Sequence, residues 1–180
     1  MKKISTPIEG LKIIEPRVFE DKRGYFFESF SAEKFLALGI DKTFIQDNQS
    51  LSQKGVLRGL HFQKPNHAQA KLVRVIKGGV LDVVVDIRKD SPTYGQHFAI
   101  ELTEKNKKML YIPEGFAHGF LTLEDNTIFS YKCSDNYHPE CEDAILWCDE
   151  ELGIDWNIKN PIVSDKDKIA KPFNQLSSPF

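Results

Sequence analysis

The sequence predicts an all-β fold, a sandwich or a barrel, on three observations. Short apolar runs recur along the chain and are bounded by Gly, Pro, Asn and Asp turns. One run alternates strictly: Leu81, Val83, Val85 and Ile87 interleave with Asp82, Val84, Asp86 and Arg88, the signature of a half-buried strand. Thirteen Phe, five Tyr and two Trp favour strands over helices.

Taken in order, Val18-Phe19 leads into the charged turn Glu20 to Gly24 and then into the aromatic strand Tyr25 to Phe30. Alternation puts Phe26, Glu28 and Phe30 on one face of that strand. Ser31 to Leu38 reads as a helix, with Ser31 as N-cap, Gly39 past its end, and Phe35 and Leu38 as its buried stripe. Phe44 to Ser50 is apolar at first and then a run of amides, suited to turns and caps or to reading a ligand's donors and acceptors. Val56-Leu57, Leu60 to Phe62 and Leu72 to Ile76 are strand-like, and Gly78-Gly79 turns the chain into Val80 to Arg88. Phe98 to Leu102, Met109 to Ile112, Phe120 to Leu123 and Thr127 to Lys132 are further strands. In the proline-punctuated tail, Asp149 to Leu152 is a short helical candidate. No repeat or linker divides residues 1–180, which read as a single domain.

Composition excludes several classes of function. A formal net charge of -2 offers no electrostatic footprint for nucleic acid or an anionic membrane. No apolar run is long enough to span a bilayer, and Pro7, Glu9 and Gly10 interrupt what would be a signal-peptide core. Cys133, Cys141 and Cys148 form no C-x-x-C pair and read as the reduced thiols of a cytoplasmic protein.

The chemistry concentrates in Gly55 to Lys71, GVLRGLHFQKPNHAQAK, where Arg58, His61 and Lys71 sit on or beside strand-like runs. Cations rooted on strands are costly to bury without a negative partner, which an anionic ligand or a structural carboxylate can provide. Alternation alone puts Arg58 and His61 on opposite faces; a bulge at Gly59, or contact from a strand end, would bring them together. Gly55 followed after five residues by His61 resembles the first motif of cupin-type barrels, and Pro113-Glu114-Gly115-Phe116-Ala117-His118 resembles their second. Metal-binding cupins continue the first motif as His-x-His and then Glu. Here Gln63 replaces the second histidine, and residues 64–73 hold no acid. His61 and His118 alone fall short of a catalytic metal site. The residues left to point into such a barrel are Arg58, Lys71, His118 and Tyr131, with Asp167 from the tail.

The ordered segments Asp21 to Gly24, Gly55 to Gln63, Lys71 to Val73, Val85 to Arg88, Ser91 to Gly95, Ile112 to Phe120, Tyr131-Lys132 and Ser164 to Asp167 resemble the dTDP-4-dehydrorhamnose 3,5-epimerase family. The resemblance spans about Arg17 to Asp167 and implies a cupin-type double-stranded β-helix, or jelly-roll barrel, with a few short helices. It implies a cofactor-free homodimer with exchanged N-terminal strands, acting on a dTDP-linked 4-keto-6-deoxy sugar. Protons at C3 and C5 of that sugar are both α to the C4 ketone, so each inversion needs a base, an oxyanion stabiliser and an acid on the far face. By resemblance His61 is the base, Asp167 its carboxylate partner, Lys71 the enolate stabiliser and Tyr131 the opposite-face acid. Arg23, Arg58 and Lys166 would hold the diphosphate. Phe26, Glu28, Gln46, Asn48 and Tyr137 would hold thymidine and sugar, and His118 would line the sugar pocket rather than bind a metal. Arg23, Phe26 and Glu28 would reach the neighbouring subunit's site.

Taken singly, each residue has a plainer role: Tyr131 in strand packing, Asp167 in a helix turn capped by Ser164, Lys71 at a solvated strand end, Arg23 as a turn charge. Rival functions are a single-site C3-only or C5-only epimerase, a non-catalytic sugar-nucleotide-binding cupin and a metal-dependent cupin dioxygenase. The segment Pro139 to Trp147, and Asn157 after Trp156, depart from the family's usual pattern near Tyr137 and the dimer edge.

Overall fold

The computed structural model describes residues 1–180. Its strands are β1 (Lys2–Ser5), β2 (Lys12–Glu15), β3 (Val18–Asp21), β4 (Gly24–Phe27), β5 (Gln46–Ser52), β6 (Val56–Gln63) and β7 (Lys71–Lys77). They continue as β8 (Gly79–Asp86), β9 (His97–Thr103), β10 (Met109–Ile112), β11 (Phe116–Thr122), β12 (Thr127–Cys133), β13 (Glu142–Ala144) and β14 (Ile162–Val163). Two short helices complete the set, α1 (Ala32–Ala37) and α2 (Asp165–Lys168). One sheet has the order β1-β2-β10-β7-β12-β5 and the other β13-β6-β11-β8-β9, with β14 parallel to β6; β3 and β4 form a separate hairpin. This is the jelly-roll architecture the sequence predicts.

Three apolar clusters hold the layers. Val73, Val75, Leu110 and Phe129 of the first sheet meet Val80, Val84, Leu102 and Phe120 of the second in the barrel interior. The outer face of the second sheet, with Leu57, Val83, Val85 and Ile87, is covered by Ile145, Leu152, Trp156 and Phe173 of the C-terminal region. The outer face of the first sheet carries Ile14, Leu72, Met109 and Tyr111 under Phe35 of α1. Helix α1 forms as its sequence dictates: the Ser31 hydroxyl accepts from the Lys34 N–H, and Phe35 is its buried residue.

Several expectations need correction. The strand Val80 to Asp86 is not half-buried, because both of its faces lie under apolar layers, and Asp82 and Asp86 are fully buried. Each acid has partners instead of water. Asp86 accepts from Arg88, Ser91 and Thr93, which hold its carboxyl down at about 2 although burial pushes the other way. The aromatic strand ends at Phe27, so Phe26 and Phe30 share no face: Phe26 is exposed, while Phe30 turns in against Phe35 and Phe44. Asp149 to Leu152 forms turns rather than a helix, since the Asp149 carboxylate accepts from the Glu151 and Leu152 N–H groups. The tail's helix is α2, capped by Ser164. Strands β1 and β2 lack a sequence signal; β2 pairs with β10 and β1 extends the edge.

Candidate active site

Strands β6 and β11 carry the two histidines of the cupin-like motifs, and His61 and His118 are register partners across that pair. The pairing shifts before Phe120 and Arg58, as a bulge at this point requires. Gly59 makes the shift feasible. Its φ is +136°, and a Cβ there would lie 2.5 Å from the Gly119 Cα. The consequence is that Arg58 and His61 line one cavity despite their spacing.

That cavity, of about 550 Å³, opens between the sheets. From the second sheet and the tail come Arg58, His61, His118, Lys166 and Asp167; from the first come Lys71 and Tyr131. The His61 Nε2 lies 2.6 Å from the Asp167 Oδ1. Asp167 is capped in place by α2, and its Oδ2 accepts from the Gly59 N–H. The acid's side chain is 3% exposed and the imidazole's 30%, so the carboxylate is sealed behind a ring that still faces the cavity. Burial pushes the Asp167 carboxyl up, but the His61 hydrogen bond and charge, with the Gly59 and Ser164 donors, outweigh it and hold it below the usual range. With Asp167 ionised, the facing Nε2 is assigned as the N–H donor, leaving the Nδ1 lone pair as the basic position. The cap that sequence offers as the plain role of Asp167 and the histidine pairing are thus parts of one arrangement.

Opposite this dyad, the Lys71 Nζ lies 5.8 Å from the centre of the Tyr131 ring. Burial lowers the Lys71 pKa, against the pull of Cys133, Asp82 and Glu142. Burial likewise raises the Tyr131 phenol, reinforced by Cys133, while Arg58 and the Asn48 amide pull it back. A lysine that gives up its proton more readily than usual therefore stands beside a phenol that holds its own more firmly.

A second recess of about 250 Å³ shares His61, Lys71 and Tyr131 and adds Gln46, Asn48, Tyr137 and Glu142. Glu142 escaped the sequence reading. It accepts from the Tyr137 hydroxyl at 2.6 Å and from the Lys166 ammonium, tying two expected site residues together. Asp82 escaped it too: its Oδ2 lies 2.9 Å from the His118 Nε2 inside the barrel. The available signal was an acid interrupting an apolar strand, Asp82 within Val80 to Val85. Arg58 is steadied by the Ser52 hydroxyl at 3.3 Å. Three expected residues are not brought together with the rest within the chain. Arg23, Phe26 and Glu28 lie on or just after the exposed β3–β4 hairpin, where Arg23 pairs with Asp21 and Glu28 with Lys34.

A jelly-roll barrel with a histidine–carboxylate dyad on one wall and a lysine and a tyrosine on the other has the groups that an isomerase needs to take a proton from a bound compound and return one from another side. The model of the dTDP-4-dehydrorhamnose 3,5-epimerase family matches residues 5–175, and the chain belongs to that family. It is similar to the Salmonella typhimurium dTDP-4-dehydrorhamnose 3,5-epimerase, 51% identical over 174 residues covering 96% of this chain and 95% of that protein. The Legionella pneumophila 3,5-epimerase, solved in complex with dTDP-4-keto-L-rhamnose, superposes with a TM-score of 0.93 at 50% identity, covering 97% of this chain and 94% of that one. The Bacillus anthracis enzyme with TDP and pyrophosphate bound gives 0.94 at 45% identity, covering 96% and 99%.

Proposed function

We propose that this chain inverts C3 and C5 of dTDP-4-dehydro-6-deoxy-D-glucose, giving dTDP-4-dehydro-L-rhamnose. The observation that carries the reading is the His61–Asp167 dyad on one wall of the cavity, facing Lys71 and Tyr131 on the other. His61 Nδ1 removes the proton α to the C4 ketone. Asp167 supports the imidazolium, Lys71 stabilises the enolate oxygen, and Tyr131 returns a proton from the far side. The net reaction changes no oxidation state, so proton transfers account for it.

Arg58 and Lys166 bind the diphosphate, His118 lines the sugar pocket, and Gln46, Asn48 and Tyr137 bind the rest of the nucleotide sugar in the adjoining recess. The chain acts as one domain within a homodimer that exchanges N-terminal strands, carrying Arg23, Phe26 and Glu28 into the partner's site. The exposed aromatic faces of Phe19, Tyr25 and Phe26 support this, since large apolar groups gathered on one hairpin favour being covered. All three cysteines are free, which supports work in the reducing cytoplasm.

The test is proton NMR of dTDP-4-keto-6-deoxyglucose with the protein in D₂O. The expected result is loss of the C3 and C5 proton signals and a product that a rhamnose-forming reductase accepts. Exchange at one carbon reduces the reading to a single-site epimerase; nucleotide binding without exchange reduces it to a binding protein.

Lys71 sets a pH dependence. Enolate stabilisation needs its charged form, and burial moves its pKa down. The alkaline limb of kcat/KM should therefore fall below the ordinary lysine range, with activity present below that pKa and lost above it. Lys71→Arg should remove this limb, because a guanidinium stays protonated, while lowering the plateau by about 10²–10³ as for a lost oxyanion donor. An unchanged limb in the variant would take the titration away from Lys71.

A further inference from the structure

Away from the catalytic cavity, His67, Asp135 and His138 bring two imidazole nitrogens and a carboxylate oxygen within 4.8 Å of one another. His67 comes from the loop between β6 and β7, the other two from the segment after β12. A second set of the same reach joins His67 to Glu140 and Cys141, so His67 is the point on which both sets converge. The two rings stack with centroids 3.4 Å apart. Each has a carboxylate at its Nδ1: Asp135 on His67 at 3.1 Å and Glu140 on His138 at 3.0 Å. The three side chains of the first set are each about a third exposed, so an ion can reach them from solvent.

These donors are held by the chain's own hydrogen bonds. The Gln63 amide nitrogen donates to the His67 carbonyl at 2.6 Å and to that of Asn136 at 3.1 Å, and its oxygen accepts from the His138 N–H at 2.6 Å. Gln69 donates to the Asp135 carbonyl at 2.9 Å. Two loops distant in sequence are thereby held together with their ligand-type side chains adjacent, and a turn of the stacked rings away from each other is what brings their lone pairs onto one ion. Two imidazoles, a carboxylate and a nearby thiol suit a borderline-soft transition metal rather than magnesium or calcium, which take all-oxygen shells. The carboxylates of Asp135 and Glu140 supply the charge to neutralise a dication.

We propose that His67, Asp135 and His138 form a surface site for a divalent transition-metal ion of the zinc class. The bound ion clamps the loop between β6 and β7 to the segment that carries Tyr137, and so stiffens one wall of the recess beside the catalytic dyad. The site is structural and takes no part in proton transfer.

The test titrates zinc chloride into the metal-stripped full chain against a chromophoric chelator. The expected result is one zinc per chain with half-saturation at micromolar zinc. Tm should rise by about 5–10 °C when zinc exceeds its Kd about a hundredfold. His67→Phe keeps a ring against His138 but offers no lone pair, and it should weaken uptake by more than about 10-fold, the least that losing even a ligand's supporting partner costs. His138→Gln provides the same reading should His67→Phe fold poorly, as judged by its zinc-free Tm. Half-saturation only at millimolar zinc, the behaviour of scattered surface imidazoles, overturns the site. So does uptake left intact in a folded variant.

Discussion

His61→Asn should abolish exchange of the C3 and C5 protons into D₂O while dTDP binding stays close to that of the parent. The His61 imidazole is the group beside Asp167 with a lone pair to accept a carbon-bound proton, and Asp167 behind it is sealed and held ionised. Asparagine keeps a polar group of similar reach opposite Asp167 but provides no base near neutral pH. General-base contributions are typically about 10²–10⁴ in rate, and a step with no alternative base falls at the upper end. Arg58, Lys166 and the amides of the recess are untouched by the substitution, so affinity for the nucleotide should change little. Calorimetry with dTDP and NMR exchange separate the two effects. Exchange persisting near the parent rate would remove His61 as the base and turn attention to His118, whose Asp82 partner gives it a similar arrangement deeper in the barrel.

How far the sequence discloses this site depends on whether each feature is local. The alternation from Leu81 to Ile87 is local, and it gave the strand correctly; the burial of Asp82 and Asp86 is not, because it depends on layers supplied by distant segments. Arg58 and His61 showed the same division. Their spacing posed the problem and Gly59 suggested the bulge, but only the approach of Gly119 to within what would be 2.5 Å of a Cβ explains why glycine stands there. The His61–Asp167 pair joins residues 106 apart and was reached by resemblance, since no spacing rule connects a strand to a four-residue helix in the tail. Strands β1 and β2 carry no clear signal because Lys2 to Ser5 and Lys12 to Glu15 are short and charged, and their strand character comes from pairing, β2 with β10 and β1 with β2. Asp149 to Leu152 has helix-forming composition, yet its own Asp149 carboxylate closes a turn instead.

Tyr131→Phe should separate two events that His61→Asn loses together. Removing the phenolic hydroxyl leaves the base, its carboxylate and Lys71 in place, so an α-proton can still be taken and the enolate still stabilised. The proton then returns from the wall it left, where the imidazolium, partly exposed, has time to trade its proton for deuterium. Deuterium enters with retention of configuration. Inverted product should fall by about 10²–10⁴, the range for a positioned general acid, while exchange falls much less. The phenol suits this task because burial raises its pKa, keeping the proton on oxygen until an enolate carbon is there to receive it. Phenylalanine also preserves the ring that packs against Phe129 and faces the Lys71 ammonium, so loss of fold should not confuse the comparison. The ratio of exchange to inversion, taken from one NMR time course, is the quantity that decides. If both fall equally, the hydroxyl is needed before the carbanion forms, and its role moves from far-side acid to a hydrogen bond at the ketone oxygen beside Lys71.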